Sequence, residues 1–316
     1  MNKENIIEVA GLCKTYPGAD RPAVDGINLA IGEGSFFGLL GPNGAGKTTF
    51  LSMLAGLLKP SSGKLLIAGL DIQGHLDVIK QRIGLVPQDI ALYPTLTARE
   101  NLAFFGSMLG LSGSRLNARI EECLDIADLN NFAGSRVEIF SGGLKRRLSL
   151  VIGLIHNPDI LFLDEPTVGI DPQSRHFIYN NLRRMNADGM TIVYTSHYME
   201  EVEQLCNDIA IIDHGRIIAR GGVEELLSQH EHNIIKVRTA DEIPAALQEK
   251  IMALPYIQES RLNKNGLTIK SNTPQQALLE LVSILQQNNI SIISLSTGMD
   301  NLEQVFLALT GTTLRE

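Results

Sequence analysis

Gly41-Pro42-Asn43-Gly44-Ala45-Gly46-Lys47-Thr48 fits the spacing G-x-x-x-x-G-K-[ST], with Thr49 directly after it. Those residue types suit the handling of a triphosphate. Backbone amides can crowd around phosphate oxygens only where side chains stay out of the way, and Gly41, Gly44 and Gly46 clear that space. Lys47 would reach the β- and γ-phosphates, and the Thr48 hydroxyl would sit on Mg²⁺. A helix N-terminus behind the loop would add the positive end of its dipole. The competing reading, a plain glycine-rich turn, is disfavoured by the apolar strand before the loop and the helix after it. The stretch predicts a site for a nucleoside triphosphate.

A second cluster says what the triphosphate is used for. Asp159-Ile160-Leu161-Phe162-Leu163-Asp164-Glu165-Pro166 is an apolar strand ending in two carboxylates. Asp164 would hold Mg²⁺ directly or through water, and Glu165 would polarise an attacking water. Paired acids at a strand end also occur as plain surface features, but two together after a run of apolar positions favour chemistry.

The elements that must position these groups follow from hydrophobic periodicity. Strands are expected at residues 6–12, 24–31, 36–40, 64–67 and 82–87, with a helix at 48–58 leaving the phosphate loop. From Thr97 the pattern turns helical. Thr97 and Glu100 form a capping-box pair opening a helix at 98–109, and a second helix is expected at 114–127. A third follows Ser141-Gly142-Gly143, with Leu144, Leu148, Val151, Ile152 and Ile155 at helical spacing. This block, about 97–157, is a helical insertion into a sheet-based core. Helices at 173–187, 198–206 and 222–229 then alternate with strands at 191–195 and 209–213, and a hairpin turns at His214-Gly215. That alternation predicts an α/β domain over residues 1–229 with a mostly parallel sheet. Residues 230–316 follow the order β-α-β-β-α-β, which suggests a small α+β, ferredoxin-like accessory domain. It shows no catalytic constellation and suits dimerisation or regulation.

Composition sets outer bounds. The 316 residues are 44% hydrophobic and 20% charged, ordinary values for a globular protein. A net charge of −8 leaves no basic stripe for coating nucleic acid. Cys13, Cys123 and Cys206 show no metal or redox spacing. The polar start Met1-Asn2-Lys3-Glu4-Asn5 does not read as a signal peptide. Apolar runs such as residues 150–155 fall far short of the ~20 residues a membrane helix needs, so any membrane role would pass through a partner.

Ser141-Gly142-Gly143-Leu144-Lys145-Arg146-Arg147 resembles the signature motif of ABC-transporter ATPase subunits, and its place between the phosphate loop and the two carboxylates matches as well. Tyr16 is similar to the family's adenine-stacking aromatic, and Gln88 to its Q-loop glutamine. Asp171 resembles the D-loop aspartate, and His197 the switch histidine. The resemblance spans residues 5–230 and implies a P-loop NTPase of the ABC ATPase type that uses ATP and Mg²⁺. It implies that Tyr16 stacks on adenine and that Gln88 contacts Mg²⁺ or the attacking water. His197 would bond the γ-phosphate. Ser141, Gly142 and Gly143 would meet the γ-phosphate held by a second copy, in a head-to-tail dimer. Leu144 replaces a common Gln, and Val168 and Ile170 replace a frequent Ser and Leu; serine, glycines and acids are intact, so two competent sites are expected.

Lys145-Arg146-Arg147 and the tail Asp300-Asn301-Leu302-Glu303-Gln304-Val305-Phe306-Leu307-Ala308-Leu309-Thr310-Gly311 resemble the ABC-2-type, daunorubicin-resistance-like exporter branch. The tail also reads simply as an amphipathic helix capped by Asp300, with Glu303 reaching back. The branch implies an ATPase subunit on the cytoplasmic face of the membrane, peripheral, driving separate permease subunits and binding no nucleic acid. The apolar and aromatic residues of 89–96 are expected either to dock that permease or to pack on their own helices. The rival is a soluble ABC ATPase acting on ribosomes or nucleic acid. Such translation factors usually carry two of these domains, and the DNA-repair types separate phosphate loop from signature by long coiled coils; this chain shows neither.

Overall fold

The computed structural model describes residues 5–230, 234–263, 265–298 and 301–310. Met1 to Glu4 of the polar start, and Asp300 and Gly311 of the tail motif, lie outside the described residues. The chain parts into two compact units between Gly221 and Gly222, earlier than the expected 229.

The first unit opens with β1 (Asn5–Lys14) and β2 (Val24–Gly32), an antiparallel pair in which Val9 lies opposite Leu29. β3 (Phe36–Leu40) leads into the phosphate loop and α1 (Lys47–Leu54). β4 (Ser62–Ile67) returns to β1 and β5 (Leu70–Asp71) extends it, giving a four-stranded antiparallel sheet β2-β1-β4-β5. The sequence did not separate this sheet from the main one. Its own signal is the mixed burial along β1 and β2, one face inward, against the unbroken burial of β3. α1 stops at Leu54 rather than 58 because the amides of Leu57 and Leu58 both turn back onto the Ser52 carbonyl.

α2 (Leu76–Lys80), which the sequence reading had not placed, precedes β6 (Ile83–Val86). The helical block follows as α3 (Ala98–Met108), α4 (Gly113–Ala127) and α5 (Gly142–Leu154). At the start of α3 the Thr97 hydroxyl accepts from the Glu100 amide while the Glu100 carboxylate accepts from the Thr97 amide, the reciprocal pair that the sequence predicts. The alternation then runs β7 (Ile160–Asp164), α6 (Pro172–Ala187), β8 (Thr191–Ser196), α7 (Met199–Leu205), β9 (Asp208–Asp213) and β10 (Arg216–Gly221).

The main sheet has six strands in the order β10-β9-β3-β8-β7-β6; all are parallel except the edge strand β10, which joins β9 through the His214-Gly215 hairpin. β3, β7 and β8 are buried at every position, as parallel strands covered on both faces must be. One hydrophobic cluster joins both sheets to α1, with Ile7, Leu29 and Ile67 from the antiparallel sheet, Phe50 and Leu54 from α1, and Phe162 and Val193 from the parallel one. The register sets the site. Leu40 lies opposite Ser196, and Asp164 opposite Thr195, so β3, β7 and β8 finish level and their loops emerge side by side.

The second unit contains α8 (Val223–His230), β11 (Ile234–Thr239), α9 (Ala245–Met252), β12 (Ile257–Asn263), β13 (Gly266–Ser271), α10 (Pro274–Gln287), β14 (Ile292–Thr297) and α11 (Leu302–Thr310). Its sheet is antiparallel in the order β12-β13-β11-β14. Numbered within the unit this is 2-3-1-4, the strand order of a split βαβ sandwich. Ile235, Val237, Leu247, Ile269 and Leu281 share its separate core. α8 packs with α11, which places it in this unit. The Asn301 side chain accepts from the Gln304 amide at the start of α11.

Candidate functional site

At the N-terminus of α1, Gly46 has φ +105°, and a Cβ there would stand 2.3 Å from the Ala23 carbonyl oxygen. Only glycine meets both conditions. The turn aims Lys47 back over the loop, where its ammonium donates to the carbonyls of Gly41 (2.8 Å) and Pro42 (3.1 Å). The side chain is 4% exposed and lies 3.1 Å from Glu165 Oε1. Thr48 is exposed at the loop, and the Thr49 hydroxyl is 3.3 Å from the Tyr16 hydroxyl. Tyr16 itself is 42% exposed, with the Lys14 ammonium 5.6 Å from its ring centroid.

From the neighbouring strand ends come the carboxylates and the histidine. Asp164 is buried, and its Oδ1 accepts from the Thr195 hydroxyl at 2.7 Å. The same hydroxyl receives the Glu165 amide at 3.0 Å. Glu165 has φ +45°, a left-handed conformation that few non-glycine residues adopt. It turns the carboxylate out of the sheet so that Oε1 faces Lys47 and Oε2 lies 3.0 Å from His197 Nδ1. Lys47, Glu165 and His197, far apart in sequence, form one contact group.

A buried carboxylate supports the histidine strand from behind. Glu201, on the first turn of α7, accepts from the hydroxyls of Thr167 (2.8 Å), Tyr194 (2.7 Å) and Ser196 (3.0 Å). Burial, reinforced by the Glu201 charge, pushes the Tyr194 phenol well up from its usual value, so it stays a donor. Ser196 also accepts from the Tyr198 amide, which brackets His197 between two fixed neighbours.

The signature residues stand apart from this group. The Ser141 hydroxyl caps α5 by accepting from the Leu144 amide at 3.3 Å. Gly143 packs on the cap of α6, where a Cβ would come 2.0 Å from the Ser174 hydroxyl and 3.0 Å from Asp171 Oδ2. Asp171 receives the Ser174 amide and hydroxyl, and those bonds, the amide first, lower its carboxyl pKa. Signature and D-loop thus form one surface, with Ser141, Gly142 and Asp171 exposed on it.

Gln88 is exposed after β6, its backbone carbonyl bound by Arg146. Arg146 entered the sequence reading only as part of the signature run. In the fold it is 2% exposed, and burial lowers its pKa while Tyr194, Asp164 and Asp89 oppose that shift. The signal available beforehand was its place on the buried stripe of α5 with Leu150 and Gly153. Glu201 gave no comparable signal, because its partners lie on two separate segments, the loop after β7 and strand β8.

The donor chemistry fits a nucleotide with a hard cation. Thr48, Gln88 and Asp164 each carry a side-chain oxygen of the kind a hard cation takes. That suits Mg²⁺, which takes few protein ligands and completes its shell with phosphate and water.

Residues 24–168 match the ABC transporter family. Over 313 residues the chain is 41% identical to the linearmycin resistance ATP-binding protein LnrL of Bacillus subtilis (strain 168), covering 98% of this chain and 100% of that one. It is 36% identical to the daunorubicin/doxorubicin resistance ATP-binding protein DrrA of Streptomyces peucetius, covering 96% and 92%. Both matches run through the second unit. Among solved structures, the dimeric post-hydrolysis state of the ATP-binding cassette MJ0796 bound to ADP and Pi superposes with a TM-score of 0.63 at 28% identity. It covers 68% of this chain and 98% of that one.

Proposed function

The chain belongs to the ABC transporter family as an ATP-binding and ATP-hydrolysing subunit of the exporter branch, and on that premise we propose that two copies close head to tail around ATP and drive a separate permease. The likeness to resistance and export proteins favours this over a soluble ribosome- or nucleic-acid-directed ATPase.

The observation that carries the reading is the double hold on Glu165, by Lys47 at 3.1 Å and His197 at 3.0 Å. A triphosphate on the Gly41–Thr48 loop would draw the Lys47 ammonium onto its β- and γ-oxygens and the His197 imidazole onto the γ-phosphate. Glu165 is then released to accept a proton from the attacking water. Thr48 and Asp164, with Gln88, would hold Mg²⁺, which neutralises charge on the phosphates. Tyr16 stacks on the adenine ring. The exposed Ser141–Gly142 edge, backed by the N-terminus of α5, completes the site of the facing copy, and Asp171 lies beside it across the same interface.

A docking surface for the permease is proposed on α3 and the loop before it. Tyr93 is 44% exposed and meets Phe104 edge-on at 4.7 Å; Met108, one turn further along α3, is 69% exposed. Asn101, fully buried, clamps the loop by accepting from the Tyr93 amide and donating to the carbonyls of Tyr93 and Thr97. The loop therefore packs on its own helix and still leaves an aromatic patch outward, which suits an apolar partner. Among the described residues no helix is long and apolar enough to cross a membrane; the likeness to ATP-binding subunits of resistance systems supports a place on the cytoplasmic face, held there by the permease.

Affinity purification of tagged Glu165→Gln from detergent-solubilised membranes with ATP tests the reading. Removal of the base while the phosphate contacts remain should trap the closed dimer, and a stoichiometric polytopic membrane protein should co-elute. Ribosomes or DNA in its place would overturn the transporter reading and leave only the ATPase.

A further inference from the structure

Arg146 sits on the first turns of α5, yet its guanidinium reaches through to the floor of the catalytic group. Nη1 donates to the carbonyls of Pro87 (2.7 Å) and Gln88 (3.1 Å). Nη2 donates to those of Glu165 (2.8 Å) and Asp164 (3.5 Å), and Nε to that of Pro166. A guanidinium has five N–H groups, and here all five point at main-chain oxygens from two segments. Among the described residues no carboxylate bonds to it, and the carbonyl dipoles meet the charge with Asp164 and Asp89 nearby.

This geometry bears on Glu165. Its amide is fixed by Thr195, its carboxylate lies between Lys47 and His197, and its carbonyl is fixed by Arg146. A residue at φ +45° persists only where its surroundings over-determine it. Arg146 supplies the hold on the carbonyl side, and the same group holds the carbonyl of Gln88. One side chain of the signature helix therefore holds the carbonyls of both Glu165 and Gln88. We propose that Arg146 is a positioning residue for hydrolysis, locking the Glu165 peptide in register with the signature helix.

The proposal rests on Glu165 acting as the base, and a double-mutant cycle separates the two ideas. Lysine keeps the charge but offers three donors from a single point in place of a planar fork. Arg146→Lys should lower kcat about tenfold while affinity for a fluorescent ATP analogue changes less than about threefold, an effect on the chemical step alone. In a Glu165→Gln background the same substitution should change the residual single-turnover rate less than about twofold, because the group it positions is already disabled. Rates are normalised to nucleotide-binding sites, so lost fold does not count as lost catalysis. If Arg146→Lys does not fold, Arg146→Gln, with two donors and no buried charge, takes its place in the cycle.

Equal fold-losses in both backgrounds, or a fall in nucleotide affinity parallel to kcat, would overturn the positioning role and leave Arg146 as general packing. Near-wild-type turnover in Glu165→Gln would overturn the assignment of Glu165 as base, and the proposal with it.

Discussion

Glu165 and Gly46 shape the proposed site as single residues, each through a backbone angle that its neighbours enforce. At Gly46 the positive φ and the 2.3 Å approach of the Ala23 carbonyl act together. Gly46→Ala would add strain of about 1–3 kcal/mol at the angle alone, and the clash forces the loop away from its phosphate-binding shape. We expect at least a hundredfold weaker ATP binding, of order 3 kcal/mol, measured by titration with a fluorescent analogue, with the circular dichroism spectrum retained. Binding within threefold of wild type would show that the loop does not depend on this geometry. At Glu165 the strain belongs to a charged residue, so it is tolerated only because amide, carbonyl and carboxylate are all tied down.

At the scale of elements, the parallel strands act as a common baseline. β3, β7 and β8 end in register, and the three groups that meet at Glu165 leave from their ends or from the helix that follows. The helical block adds α5, whose first turn carries the signature outside and Arg146 inside, and α3, whose aromatic face stays open. A charge on that face should uncouple it from an apolar partner without touching the catalytic group. Tyr93→Asp and Phe104→Asp are expected to abolish transport in membranes while basal ATPase of the isolated subunit stays within about twofold, since no site contact is lost. Unimpaired transport in both variants would remove the docking surface.

At the scale of the molecule, the chain holds two units with separate cores, one joining the antiparallel sheet to the parallel strands and one within the second unit. Every proposed site residue lies in the first. A chain ended at Gly221 is therefore expected to keep its secondary structure and to bind ATP within about threefold of the full chain, measured by circular dichroism and nucleotide titration. Loss of folding in that truncation would show that the first core depends on residues beyond Gly221.

Much of this was legible in the sequence because the information was local. The glycines, Lys47 and Thr48 of the phosphate loop are contiguous, the Thr97 and Glu100 cap is three residues long, and buried parallel strands read as unbroken apolar runs. The strand order of the second unit followed from element order and known connection rules. What the sequence missed depends on residues far apart in the chain. The separate antiparallel sheet arises from pairing of β4 back onto β1. Thr195 beneath Asp164 and Glu201 behind His197 have no motif, and the signature run containing Arg146 does not show its hold on Glu165, because each acts through carbonyls or hydroxyls that only folding brings within 3 Å or so. The sequence by itself determined which groups are proposed for the chemistry. The tertiary structure decided how they are held, since main-chain carbonyls look alike in every residue and only their placement in space selects a partner.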